Sequence, residues 1–352
     1  MACKGRHTPL GFKIQKEEIQ MRNLKRALSL ALAAIMLIGM MVVSASAASY
    51  NNLTDKDEIV NKDAVSMLVS LGIIEGKPDG SYAPTENVDR AQMAKMLSVI
   101  MNKGVDNSAL YQSVNSGLVD VNTNWAKGHI NYCYTTGIIA GRGNGKFDPS
   151  ATVTALEAAK MLLVAVGYDP AIEGFEGADW AINVSVRADE QGIFEGFTKD
   201  LSAPLNRDDA ALLIYNALDV EMIQSYTTNN YPIVYSDHRT ILSDKYGVIK
   251  VEGVVTANEW AILDDDTDTA LQEGKTRIYN PDGILSTTGN TAVAQDSSAN
   301  VKTQVFNVST PVDMLGKAVT MYVKKTTILA DSTVYGAPVV SDVNTVIETG
   351  EK

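Results

Sequence analysis

Between residues 59 and 218, apolar positions recur at mixed three- and four-residue spacings in six separate stretches, the period of helices that each bury one face. The stretches come in pairs. The first member of each pair, 59–71, 125–136 and 180–191, runs into a glycine, Gly72, Gly137 or Gly192, placed as a C-terminal helix cap. The second member is clearest in Met93, Met96, Leu97 and Ile100, and similar stripes cover 156–166 and 210–218. The pattern predicts helix, tight turn, helix, three times over. After Tyr226 it changes to short alternating runs rich in Val, Thr and Tyr, at 248–255, 303–308 and 317–323, with Gly, Asn and Ser breaks between them. Those runs predict a small antiparallel sheet or barrel.

The helix pairs are copies of one unit. Gly72-Ile73-Ile74-Glu75-Gly76, Gly137-Ile138-Ile139-Ala140-Gly141 and Gly192-Ile193-Phe194-Glu195-Gly196 share a core. In the first two copies it continues at equal offsets through Asp79-Gly80-Ser81-Tyr82-Ala83-Pro84 and Asn144-Gly145-Lys146-Phe147-Asp148-Pro149. Asp-Gly and Asn-Gly are turn dipeptides, and the aromatic two residues on is placed to plug a small core. The third copy has Thr198 to Pro204 instead and is shorter, so its turn must differ. The second helices open at Asp89, Thr154 and Asn206, with Gln92, Glu157 and Asp209 three positions later. The first two are capping boxes and the third a looser version. Capping leaves Arg90 and Arg207, next to their caps, unexplained.

Charge and the N-terminal residues place the chain outside the cell. Arg22, Lys25 and Arg26 precede an apolar run from Ala27 to Val43, and Ser44-Ala45-Ser46-Ala47-Ala48 follows with an A-x-A cleavage site after Ala47. A membrane anchor needs about 20 apolar residues, and this run ends in small ones. Met21 opens a complete signal of its own, so residues 1–20 read as an upstream extension. The 352-residue chain has a net charge of −12; removing 1–47 takes away seven basic and two acidic residues, leaving 23 against 40, about −17. No basic stripe remains to release counterions from a nucleic acid. Cys3 leaves with the signal, and Cys133 stays alone in an apolar helical stretch as a packing thiol, so the mature chain forms no internal disulfide.

Taken together, Val119-Asp120-Val121, Trp125-Ala126, Ile130, the glycine core, Phe147-Asp148-Pro149 and Thr154-Ala155-Leu156-Glu157 resemble the S-layer homology (SLH) family. Its repeat carries an F-x-D-V start, a Trp-Ala pair, a G-I-I-x-G core, a D-G-x-F-x-P turn and a T-R-A-E helix start. The first copy keeps Asp55 and Arg90 but has Val60 at the Trp position. The third keeps Trp180-Ala181 and Arg207 but has Phe175 at the Asp position. The resemblance implies a mainly α pseudo-trimer of three helix-turn-helix lobes around a central helical bundle, followed by a small all-β C-terminal domain. The divisions are 1–47, extension and signal; 48–110, 111–170 and 171–224, repeats; and 225–352, the β-rich domain.

The resemblance further implies inter-lobe grooves that hold a secreted protein to the Gram-positive cell wall or S-layer without covalent attachment. The implied partner is an acidic, pyruvylated secondary cell-wall polysaccharide, with other S-layer subunits as a second class; neither nucleic acid nor, after signal cleavage, membrane is expected. Arg90 and Arg207 are the candidate carboxylate clamps, each worth about 1.5–3 kcal/mol when sheltered, with the free N–H groups of their helix starts adding positive potential. Trp125 and Trp180 serve either as core packing or as a wall for sugar stacking. Asp55 and Asp120 read as caps or loop braces, with a ligand role as the alternative, and Thr154, at the second helix start, is a further polysaccharide-binding candidate. Ala155 replaces the arginine of the second repeat, so that repeat's groove is expected to bind weakly unless Arg142 substitutes.

No cofactor and no metal are expected. The run Asp264-Asp265-Asp266-Thr267-Asp268 lacks the glycine and glutamate of a calcium loop. No enzyme is expected either: the mature chain has only His129 and His238, no nucleophile elbow and no H-E-x-x-H. The alternative is a wall-anchored glycan hydrolase or amidase whose catalytic part is truncated or unrecognised in this chain.

Overall fold

A computed structural model of the chain describes residues 50–263, 269–284, 301–324 and 332–341. The signal-like segment 1–47, the acidic run 264–268 and the chain end therefore lie outside the described residues. Six α-helices pair as expected: α1 (Lys62–Ser70) with α2 (Arg90–Met101), α3 (Lys127–Thr135) with α4 (Ala155–Val166), and α5 (Trp180–Glu190) with α6 (Arg207–Leu218). Each first helix stops in the same way. Gly72, Gly137 and Gly192 take φ of +70°, +79° and +69°. The following Ile73, Ile138 and Ile193 donate back to Leu68, Cys133 and Ala188 at 2.9, 2.9 and 2.8 Å, closing a Schellman turn.

The lobes interlock cyclically. Each first helix packs on the second helix of the preceding lobe, α3 on α2, α5 on α4 and α1 on α6. The residues just before the three caps form a closed backbone ring: Val88 N–H donates to the Leu205 carbonyl (2.8 Å), Val153 to Val88 (2.9 Å) and Leu205 to Val153 (2.7 Å). All three side chains are buried, so the ring's polar groups must be satisfied internally, and they satisfy one another. The third lobe, despite its shorter turn, closes the ring on equal terms.

Among the described residues, seven strands follow. β1 (Ile223–Tyr226) and β2 (Pro232–Val234) form a two-stranded ribbon. The five-stranded antiparallel sheet has the order β5 (Thr303–Phe306), β4 (Thr276–Tyr279), β3 (Val248–Asn258), β6 (Ala318–Lys324), β7 (Val334–Val340). β3 pairs with β6 without a break from Val248↔Lys324 to Val254↔Ala318 and is buried on both faces. One face carries Ile249, Val251, Ile278, Phe306 and Met321 as a core of its own. The other contributes Val248 and Tyr322 to the cluster that fills the helical lobes.

The mainly α class is thereby corrected to mixed α and β, six helices and two antiparallel sheets among the described residues. The physical reason is shared burial. The tyrosine rings of Tyr215 on α6 and Tyr322 on β6 meet edge to face at 5.8 Å. Tyr246 packs beside Gly104 and donates to the Ile100 carbonyl at 3.3 Å, while Ile223 sits against Gly167 at the end of α4. The C-terminal ends of all three second helices are thus covered by residues after 220, and helices and sheet belong to one compact unit, Ala48–Lys352.

Candidate functional site

The aromatic turns anchor the site. Tyr82 and Phe147 are fully buried, as their spacing from the turn glycines predicts. The residues after them, Ala83 and Asp148, adopt φ of +57° and +55°, a conformation that non-glycine residues hold only when neighbours fix it. Asp55 and Asp120 supply the fixing. The Asp55 carboxylate accepts from Tyr82 N–H and Ala83 N–H, both at 2.7 Å. Asp120 accepts from Phe147 N–H at 3.0 Å and Asp148 N–H at 2.8 Å. Both aspartates are therefore loop braces. Burial opposes ionisation of Asp120, but the two N–H donors outweigh it and hold the carboxyl below its ordinary value.

The helix starts correct one expectation. Arg90 N–H donates to the Ala151 carbonyl (2.9 Å), Ala91 to Pro149 (2.9 Å), and Gln92 to the Asp89 side chain (2.7 Å). On α6, Arg207 and Asp208 donate to Glu86 (2.8 Å) and Pro84 (3.1 Å), and Asp209 to Asn206 (2.8 Å). On α4, Thr154 accepts from Glu157 N–H at 3.2 Å, and Leu156 donates to Leu201 at 3.1 Å. The first N–H groups of α2 and α6 are consumed by a neighbouring turn and by the cap, so any positive potential for an anion comes from side chains.

The two arginines are held identically. Arg90 donates Nε to Phe147 O (2.7 Å) and Nη2 to Ala140 O (2.8 Å), with its guanidinium 4.3 Å above the Phe147 ring. Arg207 donates Nε to Tyr82 O (2.8 Å) and Nη2 to Glu75 O (3.0 Å), 4.8 Å above the Tyr82 ring. Among the described residues neither forms a carboxylate ion pair. Arg90 is only 4 % exposed, and burial, then nearby Arg142, pulls its guanidinium down to about 10, so it remains charged at neutral pH. The hydrogen bonds of Arg90 go to carbonyls, while the carboxylates of Glu157, Asp148 and Asp120 favour its charged form from a distance, so the guanidinium stays available to an anion in the cleft.

Each arginine reaches across to a different lobe. Arg207 lines a cleft of about 240 Å³ formed by the first lobe's core, Lys77 and Lys95, with Trp125 of the second lobe as a wall. Arg90 lines a cleft of about 540 Å³ formed by the second lobe's Ala140, Gly141 and Lys160, with Trp180 of the third lobe. Trp125 is 58 % exposed, which makes it a wall and not core; Trp180 is half-buried, packing on the core while facing the second cleft. The second lobe's cleft thus has an arginine after all, borrowed from the first. Arg142 also lines it, paired with Glu157 at 2.7 Å. Thr154 acts as a helix cap.

Lys95 and Lys160, five residues after the first helical residue of α2 and α4, escaped the sequence reading. Their spacing placed them between the apolar stripe and solvent, without distinguishing a cleft wall from a solvated face. Lys160 donates to Phe175 O at 2.5 Å and lies 5.7 Å from the Trp180 ring centroid; burial lowers its pKa.

Behind the first cleft, His129 is buried, its Nδ1 2.5 Å from Ser98 Oγ, its Nε2 3.6 Å from Asp106 and its ring 6.4 Å from that of Trp125. Burial is the main cause that lowers its pKa. A base depressed on folding stabilises the fold fully above the unfolded value, about 6.5, and loses that contribution as pH falls below it. His129→Gln is therefore expected to flatten the fall in stability between about pH 6.5 and 5, measured by urea unfolding at each pH; an unchanged slope refutes the assignment. Cys133, one turn further on, is buried, and burial raises its thiol pKa, consistent with packing alone. Among the described residues no group of three acidic, His or Cys side chains is arranged to hold a metal, and no helix is long and apolar enough to cross a membrane.

Comparison with known proteins matches part of the helical lobes. The S-layer homology domain model matches residues 52–94 and 119–159, the first two lobes up to the openings of their second helices. A cell surface protein of Thermoanaerobacter kivui is 28% identical over 270 residues, 76% of this chain and 32% of that protein. The middle cell wall protein of Brevibacillus brevis is 27% identical over 196 residues, 55% of this chain and 18% of that one. An S-layer protein of Bacillus licheniformis is 32% identical over 113 residues, 32% of this chain and 12% of that one. The chain spans about a third or less of the length of these relatives. The third lobe, which shares the helix pair and the glycine cap at Gly192, lies outside the matched residues. The chain carries two S-layer homology repeats, in the first and second lobes, and is similar to bacterial cell-surface proteins.

Proposed function

We propose that the helical lobes anchor an exported protein to the cell wall by binding an acidic, pyruvylated secondary wall polysaccharide in their clefts. The observation that carries this reading is the guanidinium of Arg90, buried and hydrogen-bonded to carbonyls rather than to a carboxylate among the described residues, at the edge of a cleft walled by Trp180. A carboxylate on a sugar matches both features, since the charge pairs with the guanidinium and the apolar sugar face stacks on the indole. An acidic protein and an acidic polymer repel at long range, so binding must be local and short-ranged. Other S-layer subunits remain a second class of partner. In this reading the chain is not itself an enzyme, and turnover of wall glycan or peptide by the whole protein would overturn that part.

The test is co-sedimentation with cell walls from the protein's own source, before and after removal of their acidic polysaccharide. The mature chain is expected to pellet with intact walls and to stay in solution with stripped ones. Pelleting equally with both would refute polysaccharide binding. The Arg90→Ala, Arg207→Ala double variant is expected to stay in solution with either; retention by intact walls would refute the clamp.

A further inference from the structure

Three inter-lobe positions are related by the cyclic packing, and their side chains fall into two kinds. At the first, Arg207, Lys95 and Trp125 converge; at the second, Arg90, Lys160 and Trp180. The corresponding residues at the third are Ala155, Leu212 and Val60, one from each lobe. All three chemical roles, guanidinium, ammonium and aromatic wall, are lost together.

The packing of the third position shows that it has been completed without a cation. Elsewhere an arginine binds the carbonyl of the fourth core residue, Glu75 or Ala140; the third core's equivalent, Glu195 O, accepts instead from the neutral Asn216 amide at 2.9 Å, which also binds Ile193 O at 3.1 Å. Ala155 is fully buried where an arginine would lie. The Leu212 side chain lies against Gly196, occupying the core-side surface of the groove. Lys199 is paired with Asp209 at the opening of α6. Val60, 82 % exposed, offers no ring for a sugar. Asn61, beside it, is tied to Asp208 through its backbone N–H at 3.1 Å, which fixes this segment against α6.

We propose that the chain is bivalent, with one anion-binding cleft at the first lobe, one at the second and none at the third. The arginine and tryptophan of each cleft come from the two lobes flanking its core. This rests on the polysaccharide reading and gives it a count and a wiring. Two linked sites on one compact unit engage one polymer with an avidity that neither reaches alone. Loss of either arginine then lowers wall retention far more than half.

The three tryptophans make the wiring measurable. With Trp260→Phe as background, Trp180→Phe leaves Trp125 to report the first cleft, and Trp125→Phe leaves Trp180 to report the second. Fragments of purified acidic wall polysaccharide are titrated into each mature chain, and calorimetry counts the sites. Two fragments are expected per chain. Arg90→Ala, from the first lobe, is expected to weaken the Trp180 response ~10-fold or more and leave the Trp125 response within about twofold; Arg207→Ala does the reverse. Lys160→Ala and Lys95→Ala, which leave the arginine anchors intact, repeat the two patterns if an alanine at 90 or 207 fails to fold. Three fragments per chain, one fragment per chain, or a response lost in the arginine's own lobe would overturn the bivalent wiring while leaving polysaccharide binding standing. An unaltered chain that binds no fragment would overturn both.

Discussion

Replacing Phe147 with alanine is expected to cost about 3–5 kcal/mol, the largest single effect among side chains at the clefts. The ring is fully buried in the second lobe and carries the Arg90 guanidinium 4.3 Å above its face. Truncation removes the apolar burial, opens a cavity and withdraws the surface on which a buried cation rests. With total stability of a domain at about 5–15 kcal/mol, this consumes much of the margin. Phe147→Leu keeps most of the volume and is expected to cost less than about 1.5 kcal/mol. Urea unfolding of the two variants checks the ordering; a loss below about 1 kcal/mol for the alanine variant would show that the ring is not a plug.

Asp120→Ala is the second. The carboxylate accepts from both N–H groups of a turn whose Asp148 has positive φ, so its removal leaves two donors without acceptors and a strained residue without its restraint. The expected cost is about 1–3 kcal/mol. The Phe147 carbonyl, which receives Arg90 Nε, belongs to the same turn, so the second cleft should lose affinity as well. The pH dependence carries a sign. A carboxyl depressed on folding stabilises at pH above the unfolded carboxylate range and loses that contribution as pH falls through its lower folded value. The wild-type advantage over Asp120→Ala should therefore shrink in acid. An advantage constant from neutral pH down to about 3 would mean that the bracing is not ionic.

The periodic signals were legible because they are local. Glycine caps, capping boxes, buried turn aromatics and the alternation within a strand all depend on residues a few positions apart, and the structure has the caps and turns where the pattern places them, whereas the partner each strand finds is set by long-range pairing. The aspartate braces were partly legible: the residue type pointed to a loop role, but the partners lie 27 and 28 residues away along the chain. Lys95 and Lys160 gave no signal, since a lysine at the margin of an apolar stripe looks the same whether it faces water or a cleft.

By itself the sequence determined three lobes, their turns, the strands that follow and the two arginines that capping leaves over. Only the tertiary structure decided which lobe each arginine serves. That assignment is set by the ring of Val88, Val153 and Leu205, which places each second-helix start against the next lobe's turn, a relation no spacing along the chain encodes. The same long-range burial joined the helices to the sheet through Tyr215 and Tyr322, so one face of the sheet belongs to the core of the helical lobes while the other keeps a core of its own.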